Sequence, residues 1–232
     1  VMADTDKAGK ALRTIRERMG EDAAVMIARA AACPDKDKAD LIYRMIVLGL
    51  HLKDGHRITG MLGNPVMQRM FELGRKAGNI AMRYIEIIRF QELDSGALLA
   101  VIDPEADVLA LIAPHFSNRL PLENWMIYDR RRQKAVIHPA GKGWFLVEEV
   151  DERSVLEAEM SHEEAWYGEM WKCFFKTLTI EARVNQKLQT SLIPLKYRDF
   201  MKEFQNESLR EDCEKCQNKE MKQESEKQIS QK

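Results

Sequence analysis

What this chain has little of narrows its class first. Its 232 residues hold four cysteines, Cys33, Cys173, Cys213 and Cys216, too few and too scattered for a disulfide scaffold. Cys213 and Cys216 form a C-x-x-C pair with no second pair and no nearby histidine, short of the four ligands a structural zinc needs. No apolar run reaches the roughly 20 residues of a membrane helix; Leu41–Leu52 is broken by Arg44 and His51. Val1–Met19 is charged and amphipathic, unlike a secretory signal. A cytoplasmic location with no membrane partner is therefore expected. Charge of one sign is lacking too: 36 Lys and Arg against 37 Asp and Glu leave a net charge of -1, so nothing pulls the whole molecule toward nucleic acid. There is no Gly-rich phosphate loop, no Ser or Cys nucleophile motif and no metal-ligand cluster, and neither cofactor nor metal is expected.

What is present is a globular composition, 45% hydrophobic and 31% charged, in a chain long enough for one good core. The first part reads as helices: Thr5–Met19, stopped by Gly20; Asp22–Ala32, ended by Pro34; and Lys38–Lys53, with Gly55 as its C-cap. His56–Gly63 reads as a glycine-punctuated loop. Asn64-Pro65 opens a long helix to about Ile87, with Val66, Met70, Leu73, Ala77, Ile80, Tyr84 and Ile87 as its apolar stripe. Arg69, Lys76 and Arg83 repeat every seven residues beside that stripe. Such a basic edge is either a solvated face or a phosphate-tracking one.

The stretch Leu99–Pro139 organises the middle of the chain. Ala100–Ile102 is β-prone. Asp103 can cap a helix that Pro104 begins, and Pro114 should kink or end that helix near Ala113 by removing a backbone donor. His115 and Arg119 then share a face. Trp125–Tyr128 and Ala135–Ile137 flank Asp129-Arg130-Arg131-Arg132, which reads as a hairpin. Arg89–Leu93 and Leu98–Ile102 flank a second turn, Asp94-Ser95-Gly96. With Trp144–Val147 these strands suggest a mostly antiparallel sheet of about five strands.

Asp151–Met160 reads as a charged connector. Ser161-His162-Glu163-Glu164 is a capping box, and the helix it opens should run to about Arg183 with Tyr167, Trp171, Phe174, Leu178 and Ala182 as a buried stripe packed on the sheet. Lys187–Leu192 and Leu195–Phe204 read as a short helix pair around Pro194. The expected fold is α+β: one domain over 1–204, helical over 1–88, with the sheet and C-terminal helices over 89–204. A charged tail, 205–232, should lack a packed structure. An upstream segment is expected to precede Val1.

Three groups of polar residues are candidates for function. His115 with Arg119, joined by Asp129, can bind an anion or move a proton. Arg130, Arg131 and Arg132 in a turn suit phosphate contacts. So does the edge of Arg69, Lys76 and Arg83.

Two separated motifs add a resemblance. Leu111-Ile-Ala-Pro-His-Phe-Ser-Asn-Arg119 followed by Trp125-Met-Ile-Tyr-Asp129, and Ile180-Glu-Ala-Arg183-Val-Asn185 with Leu192-Ile-Pro-Leu-Lys-Tyr-Arg198, resemble the signature of a bacterial family of DNA-metabolism or DNA-repair proteins of unknown mechanism. The resemblance covers most of 1–204. It implies a gene neighbour of the radical SAM class, and in some bacteria fusion of a related domain to a uracil-DNA glycosylase domain. Arg183 and Asn185 are the family-motif residues; Gln186 replaces the proline often found after the asparagine. The resemblance implies an accessory protein that binds DNA or docks a radical SAM or glycosylase-type partner. The alternative is a DNA- or nucleotide-processing enzyme built on His115, Arg119 and Asp129.

Overall fold

The computed structural model describes residues 4–179, 185–198, 201 and 204. In chain order the elements are α1 (Thr5–Met19), α2 (Glu21–Ala32), α3 (Lys38–His51), a 3-10 helix (Gly55–Gly60), α4 (Pro65–Ile87), β1 (Gln91–Glu92), β2 (Leu98–Ile102), α5 (Leu109–Arg119), β3 (Trp125–Asp129), β4 (Lys134–His138), β5 (Phe145–Val147), α6 (Glu152–Leu156), α7 (His162–Leu178), α8 (Gln186–Leu192) and α9 (Leu195–Arg198). The class is α+β, as the patterning predicts. Two compact units emerge, one from Val1–Glu86 with Ala97–Glu157, the other from Ile87–Gly96 with Ala158–Lys232.

In the first unit, α1 to α4 close around Ile15, Met19, Ala23, Ala30, Met45, Ile58, Met67, Met70, Leu73 and Ala77, all buried. Gly20 turns the chain from α1 into α2 at φ 89, a conformation that favours glycine. Gly55 is not the C-cap of α3, which is Leu52. It opens the 3-10 helix where a loop was expected, and its missing side chain lets the backbone lie against the Arg18 carbonyl. Asn64 accepts from the Val66 N–H (2.9 Å) and so starts α4 where the sequence predicts.

The sheet of this unit is mixed: two of its pairings are antiparallel, as expected, and one is parallel. β2 and β3 run parallel, Leu98 opposite Trp125 and Ile102 opposite Asp129; β3–β4 and β4–β5 are antiparallel. The cause is topological: a helix between two neighbouring strands returns the chain to the same end of the sheet, which makes the strands parallel. Neighbours such as Ile127 and Tyr128, which point to opposite faces, are both buried, so both faces of the central strand are covered.

Two expectations about the α5 region are corrected. The helix begins at Leu109, not at Asp103-Pro104. Arg132 holds the intervening loop, donating from one end of its guanidinium to the Pro104 carbonyl (2.9 Å) and from the other to the Glu105 carbonyl (2.7 Å), and Asp103 pairs with Arg131 (2.7 Å) instead of capping. Of the kink or end expected near Ala113, the end does not occur; the helix runs through Pro114 to Arg119. The bond lost to proline is the one to the Ala110 carbonyl, and Ala110 is exposed, so water can satisfy that group. The supposed connector after Asp151 also begins as a helix, α6, capped by the Asp151 carboxylate.

In the second unit, Ser161 caps α7 by accepting from the Glu164 N–H (3.0 Å), as the capping box predicts. The Asp94 and Ser161 N–H groups bond the Glu159 and Glu92 carbonyls, tying the 87–96 segment to the start of α7. The aromatic stripe of α7 is not a core face. Trp171 is 44% and Phe174 52% exposed, with Trp166, Tyr167, Met170 and Leu178 exposed beside them. The burial expected for Tyr167, Trp171, Phe174 and Leu178 is therefore wrong, while Ala182 lies outside the described residues. The period fits an amphipathic helix, and period alone does not say what covers the apolar side. Arg183, the C-x-x-C pair and the 205–232 tail lie outside the described residues.

Candidate functional site

The hairpin after β3 is organised by Asp129, which is fully buried. Its Oδ1 accepts from the backbone N–H groups of Arg131 (3.0 Å) and Arg132 (3.2 Å), and its Oδ2 pairs with the Arg132 guanidinium (2.9 Å). Burial pushes the Asp129 carboxyl up, and Arg132 only partly opposes that. Arg131 is paired with Asp103, and Arg130 with Glu152 (2.6 Å). All three arginines of the tip thus have an acidic partner.

His115 and Arg119 are both exposed on α5. The His115 ring meets the Phe116 ring edge-on at 5.1 Å, and Phe116 meets Trp125 at 6.3 Å. This places His115 toward the Trp125 end of β3, whereas Asp129 closes its other end, four residues and roughly 13 Å along the strand. The structure does not bring the three residues together. Asp129 spends its oxygens on its own turn.

The basic edge of α4 is also internally compensated. Arg69 reaches Asp35 (3.2 Å), Asp37 (3.3 Å) and Glu72 (3.0 Å); Lys76 pairs with Asp35 (2.8 Å) and Arg83 with Glu86 (3.3 Å). The Lys76 hydrogen bond, followed by the charges of Lys76 and Arg69, holds the Asp35 carboxyl below its ordinary value. Beside this cluster the buried Cys33 thiol donates to the Leu73 carbonyl (3.0 Å), and burial pushes it up, away from the reactive thiolate. Nothing in the sequence singles out Asp35, and Cys33 stands out there only as one of four cysteines, because what makes the two notable is their contact with α4.

A groove of about 510 Å³ lies between α2 and α4, closed by Leu111 of α5. Asp22, Val25, Met26 and Arg29 form one wall; Phe71, Gly74, Arg75, Gly78, Asn79 and Met82 belong to the other. Sequence reading missed it, since neither helix alone shows an anomaly. Asn185, one of the motif residues, accepts from the Leu188 N–H (3.0 Å) and caps α8, a structural use. Among the described residues no group of three or more His, Cys, Asp or Glu side chains could hold a metal ion, and no helix is long and apolar enough to cross a membrane.

Residues 36–203 match a family described as a domain of unknown function, DUF4130. No curated protein and no solved structure matches the chain.

Proposed function

The chain belongs to the DUF4130 family, and we propose that it is an accessory protein of DNA metabolism that docks a radical SAM or uracil-DNA glycosylase-type partner. The observation that carries this reading is the outward face of α7. Trp166, Tyr167, Met170, Trp171 and Phe174 lie exposed within little more than two turns, and aromatic residues with methionine are the side chains enriched in the cores of protein interfaces. The resemblance in the sequence supplies the kind of partner.

The paired arginines leave room for DNA within the same role. Exposed ion pairs are worth about 0–1 kcal/mol, so phosphates can exchange for the carboxylates that hold Arg130, Arg131, Arg69, Lys76 and Arg83.

The test is a binding titration of the purified chain against a radical SAM protein of the kind that the resemblance implies as its gene neighbour. Saturable binding that Trp171→Ala and Phe174→Ala weaken about tenfold or more supports the reading, since central aromatic anchors cost about 2 kcal/mol or more when truncated. Absence of binding, or binding that both variants leave unchanged, overturns it.

A further inference from the structure

The groove between α2 and α4 departs from its surroundings in three ways. Arg29 and Arg75 both line it, and neither has a carboxylate partner among the described residues, whereas Arg69, Lys76 and Arg83 on the same α4 are all paired. Phe71 stands 49% and Met82 56% exposed at its edge. Gly74 and Gly78 lie in its lining, one turn apart within α4.

Packing does not require those two glycines. A Cβ added to Gly78 would meet nothing within 4 Å, and one added to Gly74 would make ordinary contacts with Arg29 Cβ at 3.8 Å and Met26 Cγ at 4.0 Å. Alanine would strengthen the helix at either position. What glycine provides here is a flat strip of helix backbone, open to whatever occupies the groove. Arg29 rises beside Gly74, next in sequence to Arg75, so two guanidinium groups start from one part of the groove. Asp22 sits two turns away on α2, roughly 10 Å along the axis. The charges are thus segregated, and Asn79 adds an amide with both donors and acceptors.

We propose that this groove binds a nucleoside monophosphate unit, with the base flat against Phe71 and the glycine strip and the phosphate held by Arg29 and Arg75. Arginine suits phosphate because its planar fork matches the oxygens, and an aromatic ring stacks on any base. Asp22 disfavours a second phosphate at its own end and can accept from a sugar hydroxyl or an exocyclic amine. The volume falls in the range of small-molecule sites. The unit is either a free nucleotide or one residue of a single strand, and the inference stands independently of the α7 face.

The experiment titrates the full chain with dAMP by calorimetry and with fluorescein-labelled oligodeoxyadenylate by anisotropy, with inorganic phosphate as competitor. Phe71→Ala is expected to weaken binding roughly 5- to 150-fold, the range of one base stack. The Arg29→Ala/Arg75→Ala pair should weaken it about 100-fold. Gly78→Ala should raise Tm and weaken binding together, a combination that a purely structural glycine does not produce. Arg13→Ala, an exposed cation on α1, should stay within about twofold of wild type. Binding of both probes, or of one alone, supports the site and identifies the source of the nucleotide. No binding of either, binding unchanged in the groove variants, or inorganic phosphate competing as well as dAMP overturns it.

Discussion

The indole of Trp125 and the imidazole of His138 lie stacked, ring centroids 4.9 Å apart and planes 5° from parallel. They are cross-strand partners in the β3–β4 register, both essentially buried, and the His138 Nδ1–H donates to the Glu123 carbonyl (3.1 Å). The pair fixes the end of β3 against which Phe116, and through it His115, rests. His138→Ala should destabilise the fold by about 3 kcal/mol, as a buried large-to-small change that also loses a ring stack. His138→Phe keeps the stack but leaves the Glu123 carbonyl without its donor, and should cost less than alanine. Urea unfolding of the two variants checks the order.

Asp129→Ala should cost about 3 kcal/mol, because it leaves Arg132 and two turn N–H groups without their acceptor. Asp129→Asn keeps a carbonyl oxygen for the turn and should cost less. The pH dependence separates the variants further. Burial raises the folded-state carboxyl above its ordinary 3.8, so the native state holds this proton more tightly. Its contribution to stability is therefore lost as pH rises from 3.8 through the raised folded value. The amide of the Asp129→Asn variant does not titrate there, and its stability measured against pH should lack that downward component.

Asp35 should behave in the opposite sense. Its folded-state carboxyl is held below 3.8 by Lys76 and Arg69, so its stabilisation is present above 3.8 and is lost as pH falls through the lowered value. Lys76→Met removes the strongest hydrogen bond and should move that acid loss to higher pH. An acid-unfolding midpoint that does not move would show that Asp35 is not coupled to Lys76 in solution.

Trp171→Ala should change the stability of the isolated chain by less than about 1 kcal/mol, since surface substitutions are mild. A buried tryptophan would cost about 3–5 kcal/mol. Thermal unfolding distinguishes the two, and the small value is expected from the 44% exposure of this side chain.

His115→Ala and Arg119→Ala should leave Tm within a few degrees of wild type, because both side chains are exposed. If the pair serves DNA metabolism, the variants lose repair in cells while the purified chain shows no turnover on damaged DNA. Turnover by the purified chain that His115→Ala abolishes would favour the enzyme alternative. Normal repair in both variants would remove the pair from the functional argument.

Local signals were written in the sequence wherever the physics is local. The limits of α1, the start of α4 at Asn64-Pro65, the Ser161 cap and the hairpin after Asp129 all follow from backbone groups satisfied within a few residues. Strand direction and burial did not follow in this way. The parallel pairing of β2 with β3 depends on where α5 returns the chain. The late start of α5 depends on Arg132 reaching across to the Pro104 and Glu105 carbonyls. The arginines of the tip and of α4 looked alike in sequence, and so did Arg29 and Arg75. Arg83 meets Glu86 and Arg132 meets Asp129 only three residues away. But only the fold decided that Arg130, Arg131 and Lys76 found carboxylates and that Arg29 and Arg75 were left facing a groove, because an ion pair between residues as distant as Lys76 and Asp35 is a property of packing, while a cap or a turn is a property of its own few residues.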